Sequence, residues 1–319
     1  MFLERAFKPN NEFWRYILGS VVIIVAASVG QIPLLIGIGI ESAQSDLPFP
    51  STEKGMMTFL ESNLTFLLLL SSFVFAMIGI YFVVKYFHKQ SFLEVTTGRK
   101  KIDWSRVFFS FSLWSLITIA TTLIAFYMTP ENYVMNFKPI PFAILALIGI
   151  VFIPIQTSTE EYVFRGYLMQ GFAVLAKNRW FPLLMTSLIF GGLHYFNPEV
   201  EKMGPIIMVY YIGTGLFLGI LTLMDDGMEL SLGFHAANNL IGALLVTSDW
   251  TVFQTHSILK DMAEPQAGFD VILPVVIIFP ILLFIFSKKY HWNNWQEKLI
   301  GAIKLENQNE INKIGQDNE

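Results

Sequence analysis

Long apolar runs separated by short polar stretches dominate the chain. Eight of them reach or approach the roughly 20 residues that a helix needs to cross a hydrocarbon core. They cover about 16–40, 64–84, 107–128, 140–157, 181–197, 204–224, 230–247 and 270–287. The pattern predicts an all-α, polytopic membrane protein of about eight transmembrane helices, with a single membrane domain over 1–287. The seventh run is the weakest, because His235, Asn238 and Asn239 interrupt it. Beyond the eighth, 292–305 places Trp292, Trp295, Leu299 and Ile303 on one helical face, which predicts a helix lying on the membrane surface. Residues 306–319 are polar and read as disordered, so 288–319 is an interfacial helix followed by a tail. The N-terminal MFLERAF is a second amphipathic anchor candidate.

Charge sets an orientation. Of the 21 Lys and Arg residues, all but Lys54, Lys138, Lys202 and Lys260 fall on one side of the predicted bundle. The positive-inside rule makes that side cytoplasmic, with both termini on it. Composition agrees with the membrane class: 54% of residues are hydrophobic and only 14% charged, against about a quarter charged in soluble domains. The net charge of −4 comes with no basic patch on a binding fold, so no nucleic-acid partner is expected. There is no cysteine, which excludes disulfides, thiolate chemistry and Cys-based metal sites. The first apolar run is too long for a signal-peptide core and is read as retained.

Polar groups inside such a bundle are expensive and need partners. Three places carry them: Glu160, Glu161 and Arg165; His194; and His235 with Asn239. Glu161 and Arg165 are four apart with the acid first, the favourable order for a helical ion pair. Glu161 is therefore read as structural support neutralised by Arg165. Glu160, rotated about 100° from it, is left as the spare carboxylate facing the bundle centre. His235 and Asn239 share one helix face. The blander reading makes TSTEE (157–161) a capping box that starts a new helix after a break near Pro154, and the histidines interhelical glue. Ser231, four residues before His235, is a weak dyad candidate.

A carboxylate and a neutral imidazole aimed at one water make a nucleophile. A second imidazole and a carboxamide can donate to the oxyanion of a tetrahedral intermediate. Glu160, His194, His235 and Asn239 match that set, and the reaction class is amide hydrolysis. No HExxH, GxSxG or GxGD occurs in the chain. A zinc variant stays open, with Glu160, His194 and His235 as its ligands.

In order, EExxxR (Glu160 to Arg165), FxxxH (Phe190 to His194) and HxxxN (His235 to Asn239) resemble the CPBP family of CAAX prenyl proteases and bacteriocin-processing enzymes, also called Abi. The motif region spans about 140–247, and FLEVTTGRKKIDW (92–104) looks like the juxtamembrane segment of bacterial members. The resemblance implies an intramembrane endopeptidase acting on a peptide or membrane-protein substrate in the bilayer. It implies that Glu160 and His194 activate water while His235 and Asn239 stabilise the oxyanion, without an obligatory cofactor. It also points to a bacterial inner membrane. The competing reading is a non-catalytic immunity or regulatory protein that binds a peptide or a sensor kinase; a proton-coupled transporter is a third, for which no inverted repeat is found. One difficulty remains at this level. Glu160 and His235 read as shallow, and His194 as deeper by on the order of 15–20 Å. A re-entrant or tilted stretch between the fourth and fifth helices, and a water-filled cavity open to the cytoplasm, are expected.

Overall fold

A computed structural model describes residues 1–265 and 268–303. After a 3-10 turn (Leu3–Ala6) come α1 (Phe13–Ser45), α2 (Glu53–Phe59) and α3 (Ser62–Phe82), the last prolonged by a π-helical turn to Phe87. Next are α4 (Trp104–Met128), the short strand β1 (Tyr133–Met135) and α5 (Pro139–Glu161). A π-helical turn (Tyr162–Leu168) then leads into α6 (Met169–Ala176). A hairpin follows, made of α7 (Trp180–Leu193), α8 (Pro198–Met203) and α9 (Ile207–Asp225). Last come α10 (Glu229–Leu245), β2 (Val246–Thr247), β3 (Leu259–Asp261), α11 (Phe269–Leu273), α12 (Phe279–Tyr290) and α13 (Trp295–Ile300).

The protein is all-α and polytopic. Among the described residues, six helical stretches are long and apolar enough to cross a membrane: Phe13–Ser45, Ser62–Phe87, Trp104–Met128, Pro139–Ala176, Ile207–Asp225 and Val271–Tyr290. The other two predicted spans form shorter helices, α7 with 14 residues and α10 with 17. Many of their neighbours' apolar side chains are exposed, as lipid-facing positions should be: Ile24 (63%), Ile78 (62%) and Leu116 (67%). Helices α1 and α3 lie antiparallel, α5 packs between α3 and α10, α10 against α4, and α7 against α9. Without a hydrophobic drive between helices in lipid, small residues set these approaches. A Cβ on Gly215 of α9 would lie 2.9 Å from the Ser187 carbonyl of α7, so only glycine lets the hairpin close.

One end of the bundle gathers the N-terminal turn and the C-terminal segment up to Ile303. Here the N-terminal turn is an interior element: Phe2, Leu3 and Ala6 are buried. The Phe2 amide donates to Asp226 Oδ1 at 2.7 Å, and Arg5 Nη2 to the Gly98 carbonyl at 2.7 Å. The 88–103 connection also packs inward. Met228 N donates to the Thr96 carbonyl and Gly98 N to the Asp226 carbonyl. Arg99 reaches Asp225 and Glu229 at 3.0 Å each, and Arg106 also pairs with Asp225. The acidic turn of Asp225, Asp226 and Glu229 thus has its charge met by protein groups. On the C-terminal segment Trp292 and Ile303 are buried while Trp295 is 37% exposed; Lys304 and the predicted tail 306–319 lie outside the described residues. The opposite end carries the small β1–β3–β2 sheet.

Candidate active site

The site begins on an unbroken helical rod. Pro154 lies inside α5, and the hydroxyls of Thr157 and Thr159 donate back to the Ile153 and Ile155 carbonyls. TSTEE is therefore helix interior, and the capping-box reading fails. Back-bonding hydroxyls of this kind are tolerated inside membrane helices. Past Glu161 the rod continues through the π-helical turn to Ala176, so Arg165 is inside the bundle and not leaving it.

This continuity removes the depth difficulty. Glu160 stands 16 residues above Ala176, about 24 Å at helical rise, and His194 stands 14 residues above Trp180, about 21 Å. The start of α10 is raised as well. A Cβ on Gly166 would lie 2.8 Å from the Val95 carbonyl and 3.5 Å from Met228 Cε. The 88–103 segment fills the space beneath that turn, and His235 arrives near the level of Glu160. No re-entrant stretch between the fourth and fifth predicted helices is needed.

Glu161 and Arg165 have no exposed side-chain surface and pair at 2.9 Å. Arg165 Nη2 also donates to the Gly215 carbonyl at 3.2 Å, and its guanidinium lies 4.5 Å above the Phe190 ring. His235 is clamped between the two acids. Its Nδ1 donates to Glu161 Oε1 at 2.8 Å, while Nε2 stands 3.4 Å from Glu160 Oε2. The imidazole thus presents one nitrogen to each carboxylate. Glu160 keeps 16% of its side chain exposed.

His194 caps the end of α7. Its Nδ1 donates to the Phe190 carbonyl at 2.8 Å, which leaves Nε2 as the ring nitrogen without a protein partner among the described residues. Its ring stacks on Tyr211, 4.4 Å away. The Phe190 ring lies between the two histidines, 4.8 Å from His194 and 6.0 Å from His235. The FGGLH glycines serve this packing: a Cβ on Gly191 would stand 3.0 Å from Ile212 Cα, whereas one on Gly192 meets nothing within 4 Å.

Asn239 does not touch Glu160 directly. Its Nδ2 donates to Gln156 Oε1 at 2.9 Å, and Gln156 Nε2 donates to Glu160 Oε1 at 2.6 Å. Gln156 was missed by sequence reasoning; the clue was an amide one helical turn before Glu160 in an apolar run. Ser231 donates to the Met228 carbonyl at 2.9 Å and belongs to the helix start.

Burial is uneven on the two sides of Glu160. On the terminus-bearing side of Glu160 the neighbours Glu161, Arg165, Ser187, Thr222 and Ser231 are buried. On the other side Leu193, Tyr195 and Phe196 are exposed, at 65%, 54% and 76%. A cavity of about 370 Å³ lies there, between Thr52 and Lys54 and the 195–205 turn. The hairpin rises only from Tyr211 to Ile207 beyond His194, about 6 Å. Among the described residues no group of three His, Cys, Asp or Glu is placed to hold a metal ion. The nitrogens of His235 face the two acids, and Nδ1 of His194 is held by the Phe190 carbonyl.

Residues 139–241 match the family described as type II CAAX prenyl endopeptidase Rce1-like. The uncharacterized protein YyaK of Bacillus subtilis (strain 168) is 32% identical over 255 residues, which cover 78% of this chain and 83% of the relative. No solved structure matches.

Proposed function

From the premise that the chain belongs to the Rce1-like family of type II CAAX prenyl endopeptidases, we propose that it cuts a peptide bond inside the membrane with a water activated by Glu160. The chain is an integral, multi-pass membrane protein of a protease family. The observation that supports the finer reading is Glu160 beside His235 at 3.4 Å, joined to Asn239 through Gln156 and still partly accessible.

In the proposed sequence Glu160 takes a proton as water adds to the scissile carbonyl carbon, with Nε2 of His194 orienting that water. The oxyanion draws hydrogen bonds from His235 Nε2–H and Asn239 Nδ2, which at rest are directed to Glu160 and Gln156. The Glu161–Arg165 pair keeps the His235 ring oriented by accepting its Nδ1–H. Protonated Glu160 then gives its proton to the leaving amine as the C–N bond breaks. None of these steps calls on a metal. The substrate is a peptide or membrane protein whose cut bond reaches the site from the flank of α7, and the bundle sits in a bacterial inner membrane with both termini cytoplasmic. The charge distribution and the Bacillus relative support that placement.

The test compares purified native protein with Glu160→Gln on membrane-protein precursors that accumulate in cells carrying the variant. Loss of cleavage by a factor of about 100 or more is expected for removing a general base. Cleavage at the native rate would exclude Glu160 from this role.

A further inference from the structure

We propose that Gln156 is a positioning residue for Glu160, the last link of a one-way chain of amides that begins at Trp114. This rests on the reading of Glu160 as the base, but its geometry stands apart from any activity. The links are Trp114 Nε1 to Asn238 Oδ1 at 3.2 Å, Asn238 Nδ2 to Asn239 Oδ1 at 3.0 Å, Asn239 Nδ2 to Gln156 Oε1 at 2.9 Å and Gln156 Nε2 to Glu160 Oε1 at 2.6 Å.

The direction of the chain is fixed at both ends. An indole N–H can only donate and a carboxylate can only accept. Every amide between them must therefore turn its oxygen toward Trp114 and its NH2 toward Glu160. Aligned amide dipoles polarise one another and deliver the strongest donor to the last acceptor. Gln156 is 3% exposed and Trp114 8%, so the two ends of the amide relay are shielded, while Asn238 and Asn239 between them are partly exposed.

Two consequences follow for the reaction. Glu160 Oε1 is held by Gln156, which leaves Oε2 as the oxygen that faces His235 and takes the proton from water. Asn239 also has two duties. When its NH2 turns to an oxyanion, Gln156 loses its acceptor contact and the donor on Glu160 weakens. Glu160 then holds a proton more firmly at the stage when it must carry one. Binding of the intermediate and basicity of Glu160 are coupled through Gln156.

The experiment labels detergent-purified protein at pH 7 with dicyclohexylcarbodiimide, a lipid-soluble reagent that modifies protonated carboxyl groups. Fragment-ion mass spectrometry separates Glu160 from Glu161. Gln156→Met keeps the side-chain length and removes the amide. Labelling of Glu160 rises about tenfold, the factor that loss of a hydrogen bond to a charged group carries. Asn239→Leu raises it less, Trp114→Phe least, and Thr118→Val, which lies off the chain, not at all. Combining Gln156→Met with Asn239→Leu adds nothing to Gln156→Met alone. Native-level labelling in a Gln156→Met protein of unchanged melting temperature would overturn the proposal. If Gln156→Met does not fold, native-level labelling in Asn239→Leu overturns it, and a rise supports it. The proposal also requires Gln156→Met to lower kcat while KM stays constant on any precursor the native protein cuts. If labelling responds as stated and native protein cuts nothing, the amide chain stands and the protease reading fails.

Discussion

Glu161 and Arg165 form a fully buried ion pair, 2.9 Å apart and one helical turn from each other along the π-helical turn. Their pairing holds a charge in the bundle interior and gives His235 its acceptor. Removing one partner strands the other charge, which costs about 3–5 kcal/mol. Arg165→Met is therefore expected to abolish the folded protein at ordinary temperatures, and Glu161→Gln with Arg165→Met to recover part of the loss. Fluorescence-detected size exclusion after heating checks both. A single Arg165→Met protein that melts with the native one would contradict the assignment.

Asn239→Ala is expected to lower kcat by roughly 100- to 1,000-fold, the usual effect of losing one oxyanion donor. Its melting temperature should fall only slightly, because Asn239 is partly exposed. Steady-state kinetics on a cleaved precursor decide the matter, and a rise in KM alone would remove Asn239 from the proposed role.

His88 was assigned no part by sequence, yet it is buried between Asn11 Oδ1 at 2.9 Å and the Tyr167 hydroxyl at 3.1 Å. Burial, helped by the Arg15 charge, pushes its pKa down from 6.5 to about 4. The folded state therefore holds His88 neutral while the unfolded chain binds a proton below about 6.5. Stability from this group should be complete above pH 6.5 and fall as pH drops toward 4. Melting curves in detergent between pH 4 and 7 should show that slope, and His88→Gln should flatten it.

Leu3 has no exposed surface and packs with Tyr16, Val95 and Met228. Leu3→Ala should cost about 2–5 kcal/mol, as a buried cavity does. A surface anchor would lose little stability in detergent, so thermal unfolding distinguishes the two pictures.

Gly215→Ala pushes a methyl against the Ser187 carbonyl. Overpacking costs about 1–3 kcal/mol. It also spreads α7 from α9, which moves His194 relative to Tyr211 and Arg165 relative to its carbonyl acceptor. Cleavage should drop by a larger factor than stability predicts. A variant with native kcat would show that the hairpin spacing does not set the site.

The membrane class and the motif residues were legible because apolar runs and isolated charges are one-dimensional signals. Glu161 with Arg165 could be paired by spacing alone, and the structure gives that pair. Gln156 was not legible. Its importance lies in the direction of a hydrogen-bond chain to α4 and α10, and no local pattern encodes that. The depth of Glu160 was misjudged for a physical reason as well. Arg165, Lys177 and Arg179 counted together as charges on the cytoplasmic side, but Arg165 is neutralised inside the bundle. Gln170 donates to the Glu94 carbonyl of a connection that packs inward. The N-terminal turn shows the same limit, since an amphipathic face fits a protein interior as well as a headgroup layer.

The low crest of the α7–α9 hairpin has a consequence for anything that approaches it. A helical segment in the bilayer satisfies its own amides, but a bond must be unwound to be attacked, and each bare amide in hydrocarbon costs several kcal/mol. Beside tall walls such a strand would have no solvent to lean on. Above His194 the missing wall, the open face of Gly192 and the polar groups of the 195–205 turn give an unravelling strand somewhere to be hydrated. Under the proposed cleavage, a step in the protein's height is expected to select against uninterrupted helices and to favour segments that are frayed or kinked where they meet it.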